Sequence, residues 1–170
     1  MRRGQDDREI PAERPDAWEF AVKLLGGRAL TTREIQQRLM RRGYAADQIQ
    51  AVVARLTASR YLDDAQYARA WAHARAHRRS VGPARLAQEL RSKGIADAEI
   101  SSALHEAFGE QDVRQVAEAA TLKKLKALRG LAPEVARRRL AAFLTRQGFS
   151  ADVALALCQK HCPGGGLEDL

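Results

Sequence analysis

Three groups of residues have the types and the spacing for metal or acid–base chemistry. Asp63 and Asp64 are adjacent carboxylates, a pattern that can hold a cation. Cys158, His161 and Cys162 place three soft ligands within five residues, but a structural zinc site needs a fourth. His73 and His77 stand four apart, the spacing of a zinc-binding helix; Ala74 follows His73 where the zincin pattern has its general-base glutamate. Asp63 has a competing use, because Asp63 with Gln66 reads as a capping box that opens a helix. The chain has neither a P-loop nor a dinucleotide-binding glycine fingerprint. These patterns predict no catalytic residue, no metal and no cofactor.

The basic residues carry more information. One cluster holds Arg69, His73, Arg75, His77, Arg78, Arg79 and Arg85, and acids are absent between 65 and 88. A second runs Lys123-Lys124-x-Lys126-x2-Arg129, and a third is Arg137-Arg138-Arg139. Consecutive charges cannot share one helical stripe, so part of each run is solvated surface. The density still makes a local positive field suited to a polyanion or an acidic protein face. The candidate binding residues are therefore Arg69, Arg75, Arg78, Arg79, Arg85, Lys123, Lys124, Lys126, Arg137 and Arg138.

The elements that position these residues are helical. The chain has 170 residues, a net charge of +8 and only 5% aromatic residues. Its abundance of Ala, Leu, Arg, Glu and Gln favours helix, and alternating β-branched runs are nearly absent. Residues 17–62 hold eight basic groups against three acidic, 63–110 seven against seven, and 111–162 ten against four. No apolar run approaches the roughly 20 residues of a membrane span. The first residues lack the apolar core of a signal peptide, and two cysteines make no disulfide framework. A cytoplasmic protein without a membrane partner is expected.

An internal repeat organises the chain. Ile35-x3-Leu39-x3-Gly43-Tyr44 matches Leu86-x3-Leu90-x3-Gly94-Ile95 and Leu140-x3-Leu144-x3-Gly148-Phe149. Each copy reads as helices A, B and C. Helix B opens at a Thr31/Glu34 capping box, at Gly82-Pro83 and at Ala132-Pro133, and closes at the repeated glycine. The third helix B is about one turn longer. The expected fold is all-α, with three tandem three-helix, helix-turn-helix-like repeats over 17–62, 63–110 and 111–162 in an elongated, curved array. Residues 1–16 form an expected disordered arm and 163–170 a loose tail.

Three segments resemble the RecX family of bacterial RecA regulators: Leu30-Thr31-Thr32-Arg33-Glu34-Ile35, Tyr61-Leu62-Asp63-Asp64 through Trp71, and Gly82-Pro83-Ala84-Arg85 through Gly94-Ile95. Leu144 through Ser150 matches more loosely. The resemblance implies a protein that binds RecA filaments on single-stranded DNA and suppresses filament growth, ATP hydrolysis and strand exchange; separately, a monomer is expected. Its own DNA affinity is expected to be weak and salt-sensitive. Two other readings stay open. The B–turn–C outline also fits a helix-turn-helix DNA-binding regulator, although helix C opens on Asp47, Asp97, Glu99 and Asp152, which repel phosphate. The second is a helical-repeat adaptor with no nucleic-acid role.

Overall fold

The computed structural model describes residues 15–109 and 112–163. Residues 1–14 of the expected arm and 164–170 of the expected tail lie outside the described residues. Among the described residues there are nine α-helices and no strand: α1 Ala17–Gly27, α2 Thr32–Arg41, α3 Ala46–Ala58, α4 Asp64–Arg79, α5 Pro83–Ser92, α6 Asp97–Phe108, α7 Asp112–Lys126, α8 Pro133–Gln147 and α9 Ala151–His161. None of these helices is long and apolar enough to cross a membrane.

The repeated glycine has one physical cause in all three copies. Gly43, Gly94 and Gly148 have φ of 81°, 84° and 90°, the left-handed region in which a side chain is strained. Each donates its N–H three residues back, to Met40, Arg91 and Thr145. The next residue, Tyr44, Ile95 or Phe149, donates to the carbonyl of Leu39, Leu90 or Leu144 at 3.2 Å. This is the Schellman closure, in which the apolar residue after the glycine folds back onto the last turn. Tyr44, Ile95 and Phe149 are all buried, as are the three leucines.

The chain packs as two compact units. The first comprises residues 15–30 and 35–62 and contains most of the first three helices. Its core is Ala17, Ala21, Leu30, Ile35, Leu39, Tyr44, Ile49, Val52, Leu56 and Leu62. The second comprises residues 31–34 and 63–163. There α4 packs most extensively on α6, and its contact face is Ala68, Ala72 and Ala76, each fully buried. Small side chains at this spacing let helix backbones approach closely, which explains why so alanine-rich a chain builds a dense core.

Two joints tie helix ends together inside the second unit. At the start of α5, Gly82 N–H donates to Gln147 O at 2.8 Å and Ala84 N–H to Gly148 O at 3.2 Å. A Cβ on Gly82 would lie 2.6 Å from the Gly148 carbonyl, so only glycine permits this approach. At the end of α5, the Thr31 hydroxyl donates to Lys93 O at 2.8 Å, and a Cβ on Gly94 would meet the Arg33 side chain. In both joints the first turn of one B helix meets the glycine-capped end of the next.

Candidate functional site

The carboxylates that invite a catalytic reading are occupied by backbone. Asp63 Oδ1 accepts the Gln66 N–H at 2.7 Å, capping α4, and Asp64 Oδ1 accepts the Thr32 N–H at 2.9 Å. The cysteine–histidine trio is divided. Cys158 and Cys162 are buried, whereas His161 Nε2 lies 2.6 Å from Glu118 Oε1. Burial, with the nearby Cys162, pushes the Cys158 thiol above its ordinary value, away from the thiolate a metal needs. His73 and His77 are exposed, with ring centroids 4.5 Å apart. Among the described residues no group of three or more His, Cys, Asp or Glu is placed to hold a metal ion.

The ten basic candidates fall in different environments. Arg75 and Arg85 converge on Glu89 of α5. Arg75 grips both carboxylate oxygens, Nε to Oε2 at 2.9 Å and Nη2 to Oε1. Trp71 Nε1 donates to Oε2 at 3.2 Å, and Arg85 Nε lies 3.3 Å from Oε1 while its Nη1 reaches Gln147 at 3.1 Å. Burial works to raise the Glu89 pKa, but the hydrogen bonds from Arg75, Trp71 and Arg85 outweigh it and hold the pKa below the ordinary carboxylate value. These two arginines lace α4, α5 and α8 together. Arg137 is buried on α8. Arg69 lies 3.9 Å from Glu106, both well exposed.

Arg78 and Arg79 stand at the end of α4, and Lys123 and Lys126 at the end of α7, two helix ends joined through Ser80. Arg78 and Arg79 end α4 and are exposed. The next residue, Ser80, is buried with φ 53°, and its hydroxyl accepts Lys123 Nζ of α7 at 3.4 Å. The ends of α4 and α7 thus present one basic surface, with Leu122, 51% exposed, beside Lys123. Lys126 extends it along α7, and Lys124 lies over the Phe143 ring at 5.4 Å. Among the described residues no carboxylate pairs with Arg78, Arg79, Lys123 or Lys126. Arg138 is exposed on α8.

Sequence reasoning missed Glu89 and Lys93. Lys93 Nζ sits 4.6 Å from the Trp71 ring centroid and 5.4 Å from that of Tyr67, and bonds Glu34 Oε1 at 3.0 Å. Burial opposes the charge, but Tyr67 and Glu34 outweigh it and hold the Lys93 pKa above its ordinary value. Tyr67 and Trp71 are stacked, 5.8 Å apart. The Glu89 signal was its i,i+4 spacing to Arg85; Lys93 left none, because its partners come from distant segments.

Residues 17–56 match the model of the RecX first three-helix domain and residues 63–104 that of the RecX second three-helix domain. The regulatory protein RecX of Pelodictyon phaeoclathratiforme is 34% identical over 135 residues, covering 79% of this chain and 82% of that protein. That of Streptomyces coelicolor is 32% identical over 158 residues, covering 93% and 82%. A crystal structure of regulatory protein RecX shares the fold with a TM-score of 0.76 at 23% identity, over 83% of this chain and 69% of that one. RecX from Lactobacillus salivarius does so with 0.75 at 17%, over 85% and 93%. The segments noted above for their resemblance to this family include Thr31, Gly82 and Gly94 of the two joints and Trp71, Arg85 and Glu89 of the α4–α5 brace. The chain belongs to the RecX family of regulatory proteins, a family of regulators and not of enzymes.

Proposed function

We propose that this protein is a negative regulator of the RecA recombinase that binds RecA filaments on single-stranded DNA in the cytoplasm. It acts as a monomer and suppresses filament growth, ATP hydrolysis and strand exchange. Membership of the RecX family supports the regulatory role. The observation that carries the contact is the joined basic end of α4 and α7, with Arg78, Arg79 and Lys123 free of carboxylate partners among the described residues. A filament on DNA offers both phosphate and protein acids to such a surface. Arg75 and Arg85 serve this surface by bracing the helices beneath it. Sequence-specific duplex reading fits less well, because Asp47, Asp97 and Asp152 are exposed at the starts of α3, α6 and α9, where a recognition helix carries its reading residues.

The test is RecA ATPase on single-stranded DNA with increasing amounts of this protein. Inhibition is expected well below one molecule per recombinase monomer, and the Arg78→Glu/Arg79→Glu/Lys123→Glu variant is expected to need a much higher dose. An unchanged inhibition curve for that variant removes the surface from the site. No inhibition by the wild type, with binding confirmed separately, rejects the function; binding that is then insensitive to salt marks an adaptor.

A further inference from the structure

Helix α3 closes with the same two hydrogen bonds as α2, α5 and α8. Arg60 N–H donates to Thr57 O at 3.0 Å, and Tyr61 N–H to Leu56 O at 2.9 Å. Two residue types are exchanged, however. The left-handed position, glycine in the other three, holds Arg60 with φ 57°. The following residue, buried in the other three, is Tyr61 at 59% exposure, and Leu62 takes the inward place. An ordinary cap turns this side chain into the core; here the ring is held outward, on backbone that an arginine adopts only under strain.

The exposed ring is not isolated. Trp18 of α1 meets Tyr61 edge to face, with centroids 6.3 Å apart and planes at 79°. The Arg55 guanidinium of α3 lies 3.8 Å over the Trp18 ring, and among the described residues no carboxylate pairs with it. Arg60 is exposed beside Tyr61. Asp16 and Glu19 flank Trp18 in sequence, but the described residues of this unit hold seven basic groups against three acidic.

We propose that Tyr61, Trp18 and Arg55 form a stacking platform for an unpaired nucleobase, with Arg60 placed for the adjoining phosphate. The inference rests on the single-stranded DNA part of the function proposed above. Single strands expose the π-faces that a duplex hides, and aromatic rings backed by arginine bind such faces with little regard to sequence. A protein partner would need a continuous apolar core under its rim. Of the large exposed hydrophobics among the described residues, Met40, Tyr61 and Leu122, only Tyr61 belongs to this cluster.

The test uses a Trp71→Phe background, in which Trp18 is the sole tryptophan, with two probes at low salt: oligo(dT) and an abasic phosphodiester strand of equal length. Oligo(dT) is expected to quench Trp18 and to bind at least about fivefold tighter than the abasic strand, the effect of one stacked base. Tyr61→Ala, with helicity unchanged, is expected to erase that preference while keeping abasic binding and its salt slope. Arg55→Gln, which leaves the cap intact, is expected to reduce the preference as well, and decides the matter if Tyr61→Ala does not fold. Equal binding of both strands by wild type, or a preference retained in both variants, overturns the platform and leaves the DNA reading standing. No binding of either strand overturns both. A Tyr61→Ala protein that keeps its oligo(dT) affinity but loses the filament assigns this face to a protein partner instead.

Discussion

Glu89→Ala is expected to unfold the second unit far more readily than any single change on its basic surface. The carboxylate and Arg75 are about one-fifth exposed, so their bidentate pair is only partly screened. Hydrogen bonds to charged groups contribute about 1.5–3 kcal/mol each net, and we take about 2 for the Arg75 fork. The Trp71 bond adds about 1 kcal/mol, while Arg85, 40% exposed, adds little after screening. The sum is about 3 kcal/mol. For a chain of this size each kcal/mol shifts Tm by about 2–4 °C, so a fall of about 6–12 °C is expected. The assay is Trp71 fluorescence on heating, in a Trp18→Phe background so that the signal reports this unit alone. The pH dependence adds a second check. Because the folded pKa of Glu89 lies below its unfolded value, the stabilisation is complete above the ordinary carboxylate range and is lost as pH falls through the folded pKa. The gap between wild type and Glu89→Ala should therefore close at acid pH. A drop under 2 °C at neutral pH, or a gap that persists in acid, refutes the reasoning.

Gly148→Ala and Gly94→Ala are each expected to cost more than about 2 kcal/mol in urea unfolding. Both glycines have positive φ, and an added Cβ would lie 2.3 Å from the Arg85 backbone nitrogen at Gly148 and 2.6 Å from the backbone-anchored Arg33 Cβ at Gly94. Arg60→Gly is expected to stabilise the first unit by about 1 kcal/mol by relieving the left-handed arginine, measured by denaturant unfolding followed by Trp18; a loss of stability would mean that the position is unstrained. Glu118 holds Lys160 and His161 at 3.1 and 2.6 Å, and these bonds outweigh burial to keep its pKa below the ordinary value. Hydrogen exchange at the end of α9 should accordingly quicken as pH falls through that lowered pKa, once corrected for the intrinsic exchange rate, and Glu118→Gln should abolish the effect.

The helices were legible because their signals are local. Gly43, Gly94 and Gly148 mark left-handed caps that few other residues tolerate, Pro83 and Pro133 open helices, and Thr31 with Glu34 builds the capping box it spells: Glu34 N–H to Thr31 Oγ1 and Thr31 N–H to Glu34 Oε2, both 3.2 Å. Arg60 and Ser80 also sit in the left-handed region, and nothing in their type announces it. The joints were not legible either. That Gly82 must be glycine follows from a carbonyl 66 positions away, and that Asp64 is a cap for Thr32 follows from packing between segments 32 residues apart.

For the candidate site the limit was one residue wide. A stretch without acids from 65 to 88 looked like an uncompensated field, and Glu89 lies just past its edge, on a helix that crosses α4 and takes up Arg75 and Arg85. The reverse holds for the segment as a whole. Residues 63–110 have no net formal charge, yet their described carboxylates are committed elsewhere: Asp63 and Asp64 to backbone N–H groups, Glu89 to the α4–α5 brace, Asp97 to Arg91, Glu99 to the Ala96 N–H and Glu106 to Arg69. Among the described residues of this segment, the cations left without a carboxylate partner are Arg78 and Arg79 at the end of α4. A helix C-terminus gains from positive charge on its own account, but only by about 0.3–1 kcal/mol. That figure holds for each charge, so neutralising Arg78 and Arg79 together can lower stability by only about 0.6–2 kcal/mol, and a larger loss of filament binding than of folding would separate a contact surface from a helix-end ornament.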